Sequence, residues 1–336
     1  MFYDYDKLLS RHFLIAFIIA ERGVGKTFGA KIAVLKKFLK TGEQFMYVRR
    51  YKTELDSSLA TFWNDLQDNG FFEDLELKVV KSKLLTKFMC NGKVCGYAVP
   101  LSTSNILKST AFPKVNTIIF DEYLLQVGGT YRYLKNEMDL FLDLVETTFR
   151  LRDGRVLMLG NCINTYASPY FSYWDLDISD GKEFKSYKDG AILVHYAKNE
   201  AYREKKKQTM FGKLVEDTDY GRTIIENKDM SMNNMFVSKR PEGSTFQALL
   251  IINGFKIGVW YAKDLHLYLS EKYDPNTTKK FALNFNDHTE NTIFMSAREN
   301  TYLAMCVHAY RFGWLKFENE KVKANAISLL NKCIRW

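Results

Sequence analysis

Eight residues near the N-terminus, Ala20-Glu21-Arg22-Gly23-Val24-Gly25-Lys26-Thr27, match the spacing G-x-x-x-x-G-K-[S/T], with Ala20 in place of the first glycine. That spacing is built for phosphate. Glycines let backbone N–H groups curl around phosphate oxygens, and the helix that follows adds the positive end of its dipole. Lys26 is placed to reach the β and γ phosphates, and the Thr27 hydroxyl to serve Mg²⁺. The residues expected against a nucleotide are Arg22, Gly23, Val24, Gly25, Lys26, Thr27 and Phe28. Alanine at position 20 is a small departure, since compactness matters there more than a positive φ.

A second run, Thr117-Ile118-Ile119-Phe120-Asp121-Glu122, is an apolar strand ending in two acids. Asp121 is expected to hold the metal through water, and Glu122 to orient and polarise the attacking water. The glutamate bears on class, because nucleotide kinases and switch GTPases usually lack it and ATP-hydrolysing motors carry it. Together the two runs place a triphosphate and its magnesium between the glycine loop and the acidic tip of a neighbouring strand. Arg150 closes a helical pattern and could act as an arginine finger on another subunit's phosphoryl group. The helix dipole alone also favours arginine there. Asn161, at the tip of the strand Val156–Leu159, suits a γ-phosphate or lytic-water sensor, or an ordinary turn. Basic residues interleaved with aromatics in Tyr47-Val48-Arg49-Arg50-Tyr51-Lys52 suit a phosphate backbone, or a solvated loop.

These residues need a scaffold. Residues 13–20 form an unbroken apolar run, as expected of a strand buried on both faces. A helix is expected over 26–39, a strand over 44–49 and an amphipathic helix over 56–68. A hairpin follows in 75–100 with its turn at Asn91-Gly92. Beyond it come strands at 115–120, 155–160 and 191–196 and a helix at 136–149. Strands alternating with helices predict a mostly parallel α/β P-loop domain over 1–198. A polar linker or helical insert is expected over 199–230 and a smaller α+β domain over 231–336.

Composition sets the outer limits. The 336 residues are 46% hydrophobic and 26% charged, with a net charge of +9. The excess is +3 over residues 1–200 (27 Lys/Arg against 24 Asp/Glu) and +6 over 201–336 (21 against 15). A basic balance favours a polyanionic partner through counterion release. Five cysteines without a CxxC pair exclude a disulfide framework or zinc site and point to a reducing cytoplasm. The five histidines have no HxxxH-type spacing and receive no catalytic role. The acidic N-terminus reads as no signal peptide. The longest apolar run, 13–20, is too short to span a bilayer.

Taken together, the chain resembles the DNA-encapsidation (genome-packaging) ATPase of small podophages of the phi-twenty-nine type. The resemblance rests on ERGVGKT (21–27), EQFMYVRRYKTEL (43–55), TIIFDEY (117–123), TTFR (147–150), GN and SPYF within 160–171, FGKL and DYG within 211–221, and NGF and IGVW within 253–260. It implies a terminase-like, ASCE-type ATPase that moves double-stranded viral DNA into a preformed capsid. Five copies would form a ring on the portal vertex of the procapsid, in the host cytoplasm and absent from the mature virion. A packaging RNA is a further possible partner. By motif, Lys26 and Thr27 fall on the phosphate and metal positions, Asp121 and Glu122 on the acidic pair, and Arg150 on the arginine that acts in trans. Lys108 falls on a second lysine acting across the subunit interface, and Lys52 in a loop thought to touch DNA, beside Arg49 and Arg50. The C-terminal domain would resemble a vestigial RNase H-like nuclease. The strand over 244–252 has no acid to hold a metal, so no nuclease activity is expected. The alternatives are a helicase-type ASCE translocase acting on single strands and a non-hydrolysing nucleotide-binding adaptor.

Overall fold

The computed structural model describes residues 3–82, 85–125, 131–161, 168–176, 182–197, 199–218, 221, 236–252 and 254–334. Most of 219–235, which includes the end of the expected linker and the start of the second domain, lies outside the described residues. The chain divides into two compact units: 1–163 with 173–228, and 164–172 with 229–336.

In chain order the elements of the first part are α1 (Tyr5–Leu9), β1 (Ile15–Ile19), α2 (Lys26–Thr41), β2 (Gln44–Arg49), α3 (Lys52–Leu59), α4 (Asn64–Gln67), β3 (Leu77–Val80), β4 (Thr86–Cys90) and β5 (Lys93–Pro100). After a 3₁₀ helix, Leu101–Leu107, come β6 (Val115–Asp121), α5 (Glu137–Phe149), β7 (Arg155–Gly160), α6 (Pro169–Trp174), β8 (Phe184–Tyr187), β9 (Ile192–Tyr196), α7 (Glu200–Gln208) and α8 (Met210–Val215). The apolar runs become central strands: every residue of β1 is buried, and all but one of β6 and of β7.

The nine strands form one sheet in the order β3-β4-β5-β2-β6-β7-β1-β9-β8. The six from β5 to β9 along that order are mutually parallel. Antiparallel β3, β4 and β8 extend the two edges. Parallel strands all end on one side, so the loops after β1, β2, β6 and β7 converge there, where α/β sheets bind ligands. β7 lies between β1 and β6. The strand that ends at Asn161 therefore lies beside the loop strand, and the acidic strand is one position further out.

One expected helix is broken. The pattern over 56–68 becomes α3 and α4, separated at residues 60–63. Phe62 and Trp63 are both buried, and pack with Phe45 and Phe88. Successive helical positions point about 100° apart, and both rings must enter one core. The Phe62 carbonyl accepts from Lys31 Nζ at 2.7 Å, while Leu66 N–H turns to Trp63.

The second unit has six more strands: β10 (Thr245–Ile252), β11 (Phe255–Tyr261), β12 (Leu267–Ser270), β13 (Lys280–Ala282), β14 (Ile293–Phe294) and β15 (Leu315–Phe317). Their order is β14-β13-β10-β11-β12-β15. β10, β11 and β12 are antiparallel, and β13 lies parallel to β10. Leu303 and Cys306 of the helix Thr301–Arg311, and Val322 and Leu329 of the helix Glu320–Ile334, share a core with Leu250, Val259 and Leu269 of this sheet.

Candidate functional site

The loop leaving β1 turns through Gly23 (φ +94°) and Gly25 (φ +78°). Both values lie where L side chains are strained, which explains glycine at these two positions. Gly25 begins α2, so the first-turn N–H groups of Lys26, Thr27 and Phe28 have no acceptor within the helix. Val24 is buried and Arg22 exposed. The Phe28 ring packs edge-on against Phe71. Lys26 is buried, and Nζ donates to the carbonyls of Ala20 (2.9 Å) and Glu21 (2.8 Å) and to Asn161 Oδ1 (2.9 Å). The loop lysine and the β7 tip thus meet. The N-terminal segment braces the loop from behind. Tyr5 Oη donates to the Lys26 carbonyl at 2.8 Å and Tyr3 N–H to the Val24 carbonyl at 3.0 Å.

The acids join the same edge. Thr27 Oγ1 donates to both oxygens of Asp121, at 3.0 and 3.1 Å. Tyr47 Oη donates to Asp121 Oδ2 at 2.9 Å. Burial first, and then the Asp121 charge, push the Tyr47 phenol well above its usual range, so it remains a donor. Arg49 bridges the pair, with Nη1 3.4 Å from Asp121 Oδ2 and Nη2 2.7 Å from Glu122 Oε2. Burial works against the guanidinium's charge, but Asp121, Tyr47, Glu122 and Glu54 together raise its pKa above the ordinary arginine value. Glu122 turns through a left-handed backbone, φ +56°, and its side chain is 56% exposed. A non-glycine residue held there is characteristic of functional edges. An exposed carboxylate beside a buried hydroxyl–carboxylate pair can orient water next to a metal-bound phosphate. Thr27 and Asp121 supply only hard oxygen donors, which fit Mg²⁺.

The other expected residues separate. Arg50 is corrected as a DNA contact. Its side chain is fully buried, with Nε 2.8 Å from Glu137 Oε2, and it donates to the carbonyls of Glu122 and Tyr123. It ties β2 to the start of α5. Arg49 is spent on the acids. Lys52 is exposed at the first position of α3. Beside it, Tyr51 stacks on Tyr131 with ring centroids 5.3 Å apart, and Tyr51 Oη donates to the Arg132 carbonyl at 2.8 Å. Lys108 is exposed and pairs with Asp143 of α5 at 2.8 Å. Arg150 is exposed at the far end of α5, with φ +52°. Glu137, which begins α5, lies at the acidic edge, and 13 residues of helix span roughly 20 Å. Arg150 therefore stands at the opposite end of the sheet from its own loop.

Sequence reasoning missed Tyr47 and Arg49 as partners of the acids, Glu54 as a further counter-charge of Arg49, and Glu137 as the counter-charge of Arg50. Their roles depend on β2 lying beside β6, and strand order has no local signal. The apolar run Phe45–Val48, followed by Arg49 and Arg50, was the one available hint.

A glycine loop with its lysine, a threonine–aspartate pair and an exposed glutamate, on the carboxyl edge of a parallel sheet, define a P-loop ATPase. The family model for the podovirus DNA encapsidation protein (Gp16) matches residues 1–334. The DNA packaging protein of Bacillus phage phi29 is 34% identical over 335 residues, covering 99% of this chain and 98% of that protein. The bacteriophage Phi-29 viral genome packaging motor assembly superposes with a TM-score of 0.77 at 33% identity, over 99% of both chains. The N-terminal domain of the DNA packaging ATPase from bacteriophage phi29 aligns with a TM-score of 0.50 at 36% identity, over 58% of this chain and 96% of that one. The chain belongs to the podovirus DNA encapsidation (Gp16) family, and is thereby a DNA packaging motor protein of the phi29-like phages and a homologue of their packaging ATPase.

Proposed function

We propose that the loop at 20–27 binds Mg·ATP, that Glu122 activates the lytic water, and that hydrolysis drives double-stranded DNA into the capsid. The observation that carries this reading is the convergence of Lys26, Asn161, Thr27, Asp121 and Glu122 on one edge of the sheet. Thr27 and Asp121 would hold the Mg²⁺, which neutralises phosphate charge when bound. The Lys26 amine, already among the loop carbonyls, would orient the β and γ phosphates. Asn161 would hold Lys26 and the γ-phosphate in register, and Arg49 would keep Glu122 against the acidic edge until it turns to water.

The exposed Arg150 and Lys108 would act on the site of an adjacent copy, within a ring that is pentameric on the resemblance. The distance of Arg150 from its own loop supports action in trans. Lys52, flanked by the Tyr51–Tyr131 stack and Arg132, would track a DNA backbone without reading sequence. The portal is the expected docking partner, and the basic C-terminal part suits a packaging RNA. No helix among the described residues is long and apolar enough to cross a membrane. In the second unit, the order β14-β13-β10-β11-β12 supports an RNase H-like ancestry. β10 (TFQALLII) has no acid, which supports loss of nuclease chemistry.

The test is ATP turnover with duplex or single-stranded DNA, at several protein concentrations. Stimulation by duplex DNA, with a rate per subunit that climbs with concentration, is expected. Stimulation by single strands alone would favour the helicase reading.

A further inference from the structure

The helix after β9 does not act as a bare linker. Asn199 Oδ1 accepts from Tyr202 N–H at 2.9 Å, which fixes the start of α7. From there α7 grips the outer side of the glycine loop at two adjacent residues. Tyr202 Oη donates to the Arg22 carbonyl at 3.2 Å, and the same hydroxyl fills the space a side chain at Gly23 would need. Arg203 Nε donates to Glu21 Oε1 at 2.5 Å, and Nη2 also pairs with that oxygen. The Glu21 side chain is 1% exposed, so the carboxylate end of this ion pair is buried.

The consequence follows from peptide geometry. In a trans peptide the C=O and N–H point in opposite directions. A hydroxyl that holds the Arg22 carbonyl outward turns the Gly23 N–H inward, toward the space the loop encloses. We propose that Tyr202 and Arg203 are positioning residues of the nucleotide loop, setting its N–H groups toward the phosphates from outside the sheet. The proposal rests on the loop being the nucleotide seat. It also gives Gly23 a second reason to be glycine, since it must admit the tyrosine as well as adopt a positive φ.

The test uses the full chain, a fluorescent ATP analogue for binding, steady-state turnover and thermal melts. Tyr202→Phe removes one oxygen and keeps the ring. It is expected to raise KM and the analogue's Kd about threefold to tenfold, with kcat unchanged, because the lost orientation serves ground state and transition state alike. Arg203→Ala should weaken binding further, Arg203→Lys should restore part of it, and Glu21→Gln should remove most of the Arg203→Ala penalty by removing the buried charge. A purely structural role predicts a lower Tm with KM untouched in Tyr202→Phe, and that result would overturn the proposal. Lys26→Ala separates the underlying reading. It must abolish analogue binding. If binding survives it, the loop is not the seat, and the positioning role falls with it.

Discussion

Under the proposed reading, turnover depends most directly on Glu122. It sits just past β6 in a left-handed conformation, with its carboxylate 2.7 Å from Arg49 and more than half exposed. Glu122→Gln keeps the shape and the hydrogen-bonding oxygen but cannot act as a base. ATP should still bind, and turnover should fall by about 10²–10⁴-fold. Parallel nucleotide-binding and phosphate-release assays check both halves. Unchanged turnover would remove Glu122 from the mechanism. Arg50 makes the opposite case. It was expected on DNA and is instead a buried counter-ion of Glu137. Arg50→Ala removes the guanidinium from a buried carboxylate, and should cost about 3–5 kcal/mol of stability. Denaturant melts read that loss. A variant of full stability but weakened DNA affinity would restore the DNA role.

At the scale of elements, the site depends on what lies behind the loop as much as on the loop itself. The segment before β1 carries Tyr3, whose hydroxyl meets His195 Nδ1 of β9, while Glu183, just before β8, lies 3.3 Å from Nε2. Burial pushes the His195 pKa down to about 4, with Glu183 opposing only in part. In the unfolded chain the ring titrates near 6.5. Between those values the unfolded state binds more protons than the native one, so stability is complete above about pH 6.5 and is lost as pH falls toward 4. Melts across that window should show the loss, and a His195→Gln variant should show a shallower slope. Equal slopes would mean the histidine is not buried in its neutral form. The elements that chemistry dictates locally were legible in the sequence. The apolar runs gave β1, β6 and β7, and Asn91-Gly92 gave the β4–β5 turn. What spacing could not carry was pairing. The break before α4 enforced by Phe62 and Trp63, and the folding of α7 back onto Glu21 and Arg22, both arise from contacts far apart in sequence.

At the scale of the whole molecule, the proposed DNA surface rests on the basic excess and on the exposed Lys52 and Arg132. If backbone phosphates are the target, affinity for duplex DNA should fall steeply with salt and vary little with sequence. Lys52→Ala should reduce the salt slope, by about one phosphate contact. A slope equal to that of the unaltered chain would place the DNA elsewhere. Arg150 lies roughly 20 Å of helix from the acidic edge of its own unit. If Arg150 acts on the phosphoryl group of another copy, as proposed, the complete active site is a property of an assembly. The most direct measurement is ATP turnover by a mixture of Glu122→Gln and Arg150→Ala chains, each inactive alone. Activity that appears on mixing is the predicted result, because an intact loop and glutamate in one chain would meet an intact arginine from the other. A mixture as silent as its components, under conditions where the unaltered chain assembles and turns over, would contradict a site shared between copies.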